Sequence, residues 1–407
     1  MKNQIQLIPG SRFFILQITF LLALLSAVSP IATDSYIPAL ARMSEYFQVD
    51  FHLLEISVTV YFIGVAVGQF FGGPASDAYG RKAIALFGTA LFALSSFLVV
   101  FTENIHVLWF LRFTQAIGGG CASVVNMAFI RDWFEGKEVA RLSSLISMVM
   151  MLAPLCAPVI GTVLLTTFGW KSIFVFMMGM SLLAFILLAI FMPESRQAAL
   201  LTRQFTLANV MKSYKQIFSS KPTSFLVFAN TFAVAGMFTY ITGASFMYTQ
   251  YYGIPETKFP LFFGGNIGMN ILFTFINFRL VKKYNPESML KIGLSLQLSM
   301  GLLGAILVIL TPGKPNLWVL FGIMTFFVGS MGLIFSNITA IILNRFPQVA
   351  GSANAVIGVL RFALSGVVGS LLALFHTGNL LPTVVIMACC TILASLLYWS
   401  SKRVVSE

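Results

Sequence analysis

Twelve stretches of about twenty residues, each poor in charge, govern what this chain can fold into. They cover about 13–40, 53–73, 83–101, 105–129, 143–166, 170–192, 223–248, 259–280, 288–310, 316–340, 350–375 and 380–400. A helix needs about 20 apolar residues to cross the hydrocarbon core of a bilayer. The chain is 58% hydrophobic and 9% charged, whereas a soluble domain carries roughly 25% charged residues. Lipid must therefore act as solvent for most of this surface. The alternating ten-residue pattern of a membrane barrel is missing. An all-α membrane protein with twelve transmembrane helices follows.

The net charge of +12 reports topology, and no nucleic-acid partner is expected. With the N-terminus inside, nineteen basic residues fall on the inner side of the spans. Only Arg42, Lys171, Lys258 and Lys314 fall outside, and Arg112 and Arg361 lie within spans. Such an excess marks the cytoplasmic side, so both termini are expected there. The longest polar interruption, 193–222, carries five basic residues. It splits the chain into six-helix bundles over 1–192 and 223–407, with 193–222 as a cytoplasmic linker. A duplicated layout of this kind places a substrate site between the halves near the midplane.

Of thirteen acidic residues, Asp34 alone is expected to be embedded; Glu55 begins the second span near the outer surface. A charged group at such depth normally faces a wet cavity and handles protons or substrate. Asp34 is therefore the candidate proton-exchanging group, and the bland alternative places it at the outer interface. Arg112 lies about seven residues, roughly 10 Å, into the fourth span, a depth compatible with Asp34. Bringing this cation near Asp34 would favour loss of the proton and withdrawing it would favour uptake, while snorkelling to the interface is the competing role. Arg361, about ten residues into the eleventh span, has no obvious acidic partner; it would bind helix carbonyls or make the cavity positive.

Between the second and third spans lies Gly73-Pro-Ala-Ser-Asp77-Ala-Tyr-Gly80-Arg81-Lys82. Glycines permit a tight turn, Asp77 is placed to cap the helix starting near Ser352, and Arg81 to pair with Asp132. Both contacts are expected to latch the halves on the cytoplasmic side. Gly64, Gly68 and Gly72 have the spacing that lets helices touch. Tyr36, Tyr61, Asn126, Met237, Tyr240, Phe246, Asn266, Asn270 and Arg361 are candidates to line a substrate cavity, by polar or aromatic character at depth. Cys121, Cys156, Cys389 and Cys390 show no metal-ligand spacing. No nucleotide-binding loop occurs, and no nucleophile–base set lies at depth. No cofactor, no metal and no enzymatic activity are expected.

The loop holding Gly73, Asp77, Gly80, Arg81 and Lys82 resembles the GxxxD(R/K)xGR(R/K) signature of the major facilitator superfamily, with Ala78 departing from it. The segment from Arg112 through Gln115 to Gly118 resembles that family's proton-relay motif in the fourth helix. Pro154, Pro158 and Gly161 are similar to its antiporter motif, with Ala153 and Ala157 replacing glycines. More narrowly, Asp34-Ser-Tyr36-Ile-Pro38, Phe129-Ile-Arg131-Asp132, and Phe346 to Ala353 with Arg361-Phe362 resemble the bicyclomycin/chloramphenicol-resistance branch of drug:proton antiporters. The resemblance covers essentially the whole chain. It implies a major facilitator fold and a monomeric, proton-coupled exporter of small molecules in a bacterial inner membrane. Export of a siderophore or other endogenous metabolite, proton-linked nutrient uptake, and a non-transporting membrane sensor stay open as alternatives.

Overall fold

The computed structural model describes residues 12–134, 137–195, 211, 215, 218–281, 283–311, 313–345, 350–375 and 377–406. The first bundle is built from α1 (Arg12–Asp34), a short α2 (Leu40–Phe47), α3 (Phe51–Tyr79), α4 (Arg81–Val99), α5 (Ile105–Trp133), α6 (Lys137–Phe168) and α7 (Lys171–Phe191). The second contains α8 (Lys221–Ser245), α9 (Phe259–Leu280), α10 (Pro286–Leu310), α11 (Leu317–Gly329), α12 (Met331–Arg345), α13 (Ala350–Leu374) and α14 (Leu381–Ser406). Among the described residues, eleven spans are long and apolar enough to cross a membrane. Helix α6, apolar over Leu152–Phe168, is the twelfth. Helices α11 and α12 together make one span, turned at Ser330.

Local chemistry sets where these helices start and stop. Asn104 caps α5 by accepting from the amides of His106 and Val107, and Asn316 caps α11 by accepting from those of Trp318 and Val319. The first span, expected to run unbroken through residue 40, ends instead at Asp34 and resumes as a single 3-10 turn, Ile37–Ala39. Pro38 is the cause: it has no amide hydrogen to offer the carbonyl of Asp34 one turn back. The break leaves the carboxylate at a helix end inside the bundle.

Small residues decide which helices meet. A β-carbon on Gly64 would lie 2.5 Å from the carbonyl oxygen of Phe113, and one on Gly72 would lie 2.9 Å from the α-carbon of Cys121. The glycine face of α3 therefore docks directly on α5. The two bundles meet along α3 and α13. Phe62 of the first contacts Phe238 of α8 and Phe362 of α13, at ring separations of 4.4 and 6.3 Å. Thr59 and Ile63 fit against Gly369 and Gly366, and Gln69 reaches Gly358. Nearer the end of the bundle that carries α2, Phe51 meets Phe246 at 5.9 Å, and Arg42 pairs with Glu256 at 3.2 Å. That exposed ion pair adds at most about 1 kcal/mol; apolar contact does most of the joining.

Candidate functional site

Arg112 is wholly buried in the first bundle, and three helices close around it. Its guanidinium carbon lies 4.4 Å from the ring centre of Tyr36, 4.3 Å from that of Tyr61 and 5.8 Å from that of Phe174. The cation is thus held between the faces of two tyrosines, an attraction of about 2 kcal/mol per ring once water is excluded. Its Nη1 donates to Gln115 Oε1 at 2.6 Å, one turn along α5. Gln115 is itself fixed by donating to Ser96 Oγ of α4 at 2.6 Å and to Met177 Sδ of α7 at 3.6 Å. Arg112 Nε and Nη2 are buried without hydrogen-bond partners. A cation held by ring faces, with two nitrogens unpaired, keeps donors in reserve.

The tyrosines connect this cage to α1 and α3. Tyr36 shares a 2.7 Å hydrogen bond with Ser57. Tyr61 shares one of 3.1 Å with Ser29 of α1, one turn before Thr33, whose hydroxyl donates to the Ser29 carbonyl. Asp34 follows at the helix break, 5% exposed. Asp34 and Arg112 form no ion pair in this conformation, which is the separated arrangement of the two that distance modulation requires.

Helix α6 seals the other flank. Pro154 and Pro158 lie within it, and Gly161 packs directly on the carbonyl of Ser35, the residue after Asp34. A methyl at position 161 has no room, because its neighbour is backbone. Gly161→Ala is expected to lower stability by about 1–3 kcal/mol, read as a fall in detergent unfolding temperature. Gly179→Ala, whose new methyl enters open space in α7, should be neutral or gain up to about 1 kcal/mol. Equal effects at both positions would refute the close approach.

Of the two contacts expected of the α3–α4 loop, one forms within the first bundle and the other falls outside the described residues. Arg81 does pair with Asp132, at 3.4 Å, and also binds Asp77 at 2.6 Å and Ser76 at 2.5 Å. All four residues belong to the first bundle, so these contacts brace α3, α4 and α5 and do not bridge the halves. The partner proposed for Asp77 near Ser352 lies in a segment whose side chains are outside the described residues, as do Arg131 and Phe346 to Ala353. Gly80 holds φ +106°, a backbone that suits glycine. It brings the amides of Arg81 and Lys82 onto the carboxylate of Glu194, at 2.9 and 3.1 Å. Glu194 thereby caps α4, where the helix dipole favours an anion. Nothing local to Glu194 announces this role; it depends on α7 ending beside α4. Gly73 has only Val124 near it, and Lys82 Nζ reaches the Ala189 carbonyl at 2.8 Å.

Glu55 is the fifth residue of α3, near the start of the span as expected, and its side chain is 1% exposed there; that burial within protein is what the sequence does not show.

Of the cavity candidates, Tyr36 and Tyr61 form the arginine cage. Asn126 is buried and donates to Ser26 at 2.6 Å. In the second bundle Asn266 donates to Tyr240 and to Tyr248 (3.2 Å) and accepts from Thr325 (2.6 Å), making a sealed polar network. Phe246 belongs to the seam. Met237, Asn270 and Arg361 are half-buried. In this conformation most candidates face protein and not open space.

Residues 22–370 match the family model described as Major Facilitator Superfamily. The chain is 32% identical over 379 residues to the bicyclomycin resistance protein homolog of Haemophilus influenzae, covering 93% of this chain and 94% of that protein. It is 28% identical over 364 residues to multidrug resistance protein D of Escherichia coli K12, covering 88% and 89%. Among solved structures, a D-xylose-proton symporter superposes with a TM-score of 0.74 at 20% identity, covering 95% of this chain and 97% of that one. A partially occluded, inward-open form of the xylose transporter from E. coli gives 0.71 at 19% identity, covering 95% and 98%. At such identities the structural likeness speaks for the fold alone.

Proposed function

Because this chain belongs to the major facilitator superfamily, we propose that it is a proton-coupled antiporter exporting amphipathic small molecules across the cytoplasmic membrane. The reading is carried by one observation: the bundle that holds a sealed cation, Arg112, between tyrosine rings also holds a buried carboxyl, Asp34, at a helix break. The resistance functions named for its relatives support export. The excess of basic residues at the Arg81 end supports a cytoplasmic location for that end and for both termini. The Arg42–Glu256 pair and the Phe51–Phe246 contact then seal the external side.

Alternating access follows from rocking of the halves, 1–192 against 223–407, about their seam, with 193–222 as the connecting segment. Asp34 takes a proton when its cavity opens outward and gives it up inward. Tyr61 transmits that change to Arg112, since a ring cannot hold the cation and follow α1 at once. Each proton entering thereby drives one conformational return after substrate has left. No cofactor is needed, and the monomer contains the whole machinery.

Inside-out vesicles carrying the protein, with their lumen acidified, should accumulate radiolabelled bicyclomycin above vesicles that lack it. Accumulation only in right-side-out vesicles under an inward proton gradient would identify uptake and overturn the export reading.

A further inference from the structure

We infer that Arg361 is the recognition point for an anionic group on the transported molecule. The substrates it favours then include molecules with an apolar or aromatic body carrying a carboxylate, sulfonate or phosphate, beside neutral ones that bind without this contact. This deepens the transport reading above and rests on it only in needing a transported molecule.

Arg361 is the twelfth of the 25 residues of α13. The ends of the helix are roughly 16 and 20 Å away, beyond the reach of an arginine side chain, so it cannot snorkel to water. A cation at that depth is costly and is kept where it has work to do. Among the described residues it makes no ion pair, and its Nε is buried with no hydrogen-bond partner. The helix carbonyls considered from sequence do not receive it. What holds it is aromatic: the guanidinium carbon is 4.8 Å from the ring centre of Phe362 and 5.1 Å from that of Phe335 on α12.

Its position sets it apart from Arg112. Phe362 beside it touches Phe62 of the other bundle, and Gly358 one turn away receives Gln69. Arg361 therefore flanks the seam between the halves, where a transported molecule must pass. Arg112 is sealed, whereas Arg361 is half-buried and its neighbour Phe335 is 41% exposed. A planar fork of N–H donors, without a carboxylate of its own and flanked by rings, matches a bidentate anion attached to an apolar body. Gln69 from the opposite half donates its amide nitrogen to Ser123 and turns its carbonyl oxygen to Gly358, so the donors on this stretch of the seam are those of Arg361.

The test is equilibrium binding to the purified full chain in detergent, with no proton gradient, read as ligand-induced shifts in unfolding temperature. Three acids are each compared with their neutral amide: benzoate, 2-naphthoate and anthracene-9-carboxylate. At least one acid should bind about tenfold more tightly than its amide. Arg361→Gln should bring that ratio to about one while amide binding persists. Arg361→Lys, which keeps the charge without the fork, should fall between. The proposal is overturned if no acid outbinds its amide on the wild type. It is equally overturned if the preference survives in the Gln variant or, should that variant not fold, is undiminished in the Lys variant. Because the assay runs without a proton gradient and reads binding alone, a failure of proton coupling shows only in vesicle transport and a failure of anion recognition only here.

Discussion

Asp34→Asn is expected to reduce proton-driven accumulation in inside-out vesicles to the level of vesicles without the protein. Asparagine has the shape of the protonated acid but can neither take up nor release a proton, so the conformational return loses its drive. Exchange of labelled for unlabelled substrate, which needs no net proton movement, should persist. Folding should persist too. An ionised carboxylate at depth carries an insertion penalty of about 2.5–3.5 kcal/mol that a neutral amide avoids, and Asp34 makes no ion pair here that the change would break. Undiminished proton-driven transport by this variant would remove Asp34 from the mechanism, and with it the coupling scheme.

The second large effect is expected at Arg112, where stability and transport should part company. Arg112→Met gives up two ring contacts and the bond to Gln115, a loss of about 4–5 kcal/mol. It also removes a wholly buried cation with two unpaired nitrogens, each costing about 1–3 kcal/mol to keep dry, together with the desolvation of the charge itself. The opposing contributions nearly balance, so the unfolding temperature should move by only a few degrees in either direction. Transport should nevertheless fall to background, because no other cation replaces Arg112 between Tyr36 and Tyr61. Arg112→Lys should also fail, since an ammonium lacks the flat face that stacks between rings and the fork that reaches Gln115. A Met variant that is badly unfolded would mark the residue as structural. One that transports normally would discard the cage as a coupling element.

The braced α3–α4 loop fits this picture as support for the first bundle. Arg81 ties α3, α4 and α5 into one body, and Glu194 pins the start of α4. Rigid halves are what rocking requires, since motion about a seam is transmitted only by bodies that do not deform. The seam itself is largely apolar, with Phe62, Phe238 and Phe362 at its centre.

Hydropathy alone determined that this chain is a bundle of membrane helices, because lipid leaves a backbone few ways to satisfy its polar groups. The same strings located Arg112, Arg361 and Asp34, since charge within an apolar run is visible without a partner, and Pro38 carries the reason why α1 stops where it does. What surrounds each charge was decided by the tertiary structure. Tyr36 and Tyr61 reach Arg112 from separate segments, and nothing in the spacing of residues 36, 61 and 112 announces the cage. Arg81 reads as a latch between halves until its partner Asp132 proves to lie in the same bundle. Burial of a helix face and the partner of a charge both depend on which helices become neighbours. That choice is made by small-residue contacts such as Gly64 on Phe113 and Gly161 on Ser35, far apart in the chain and joined only in the fold.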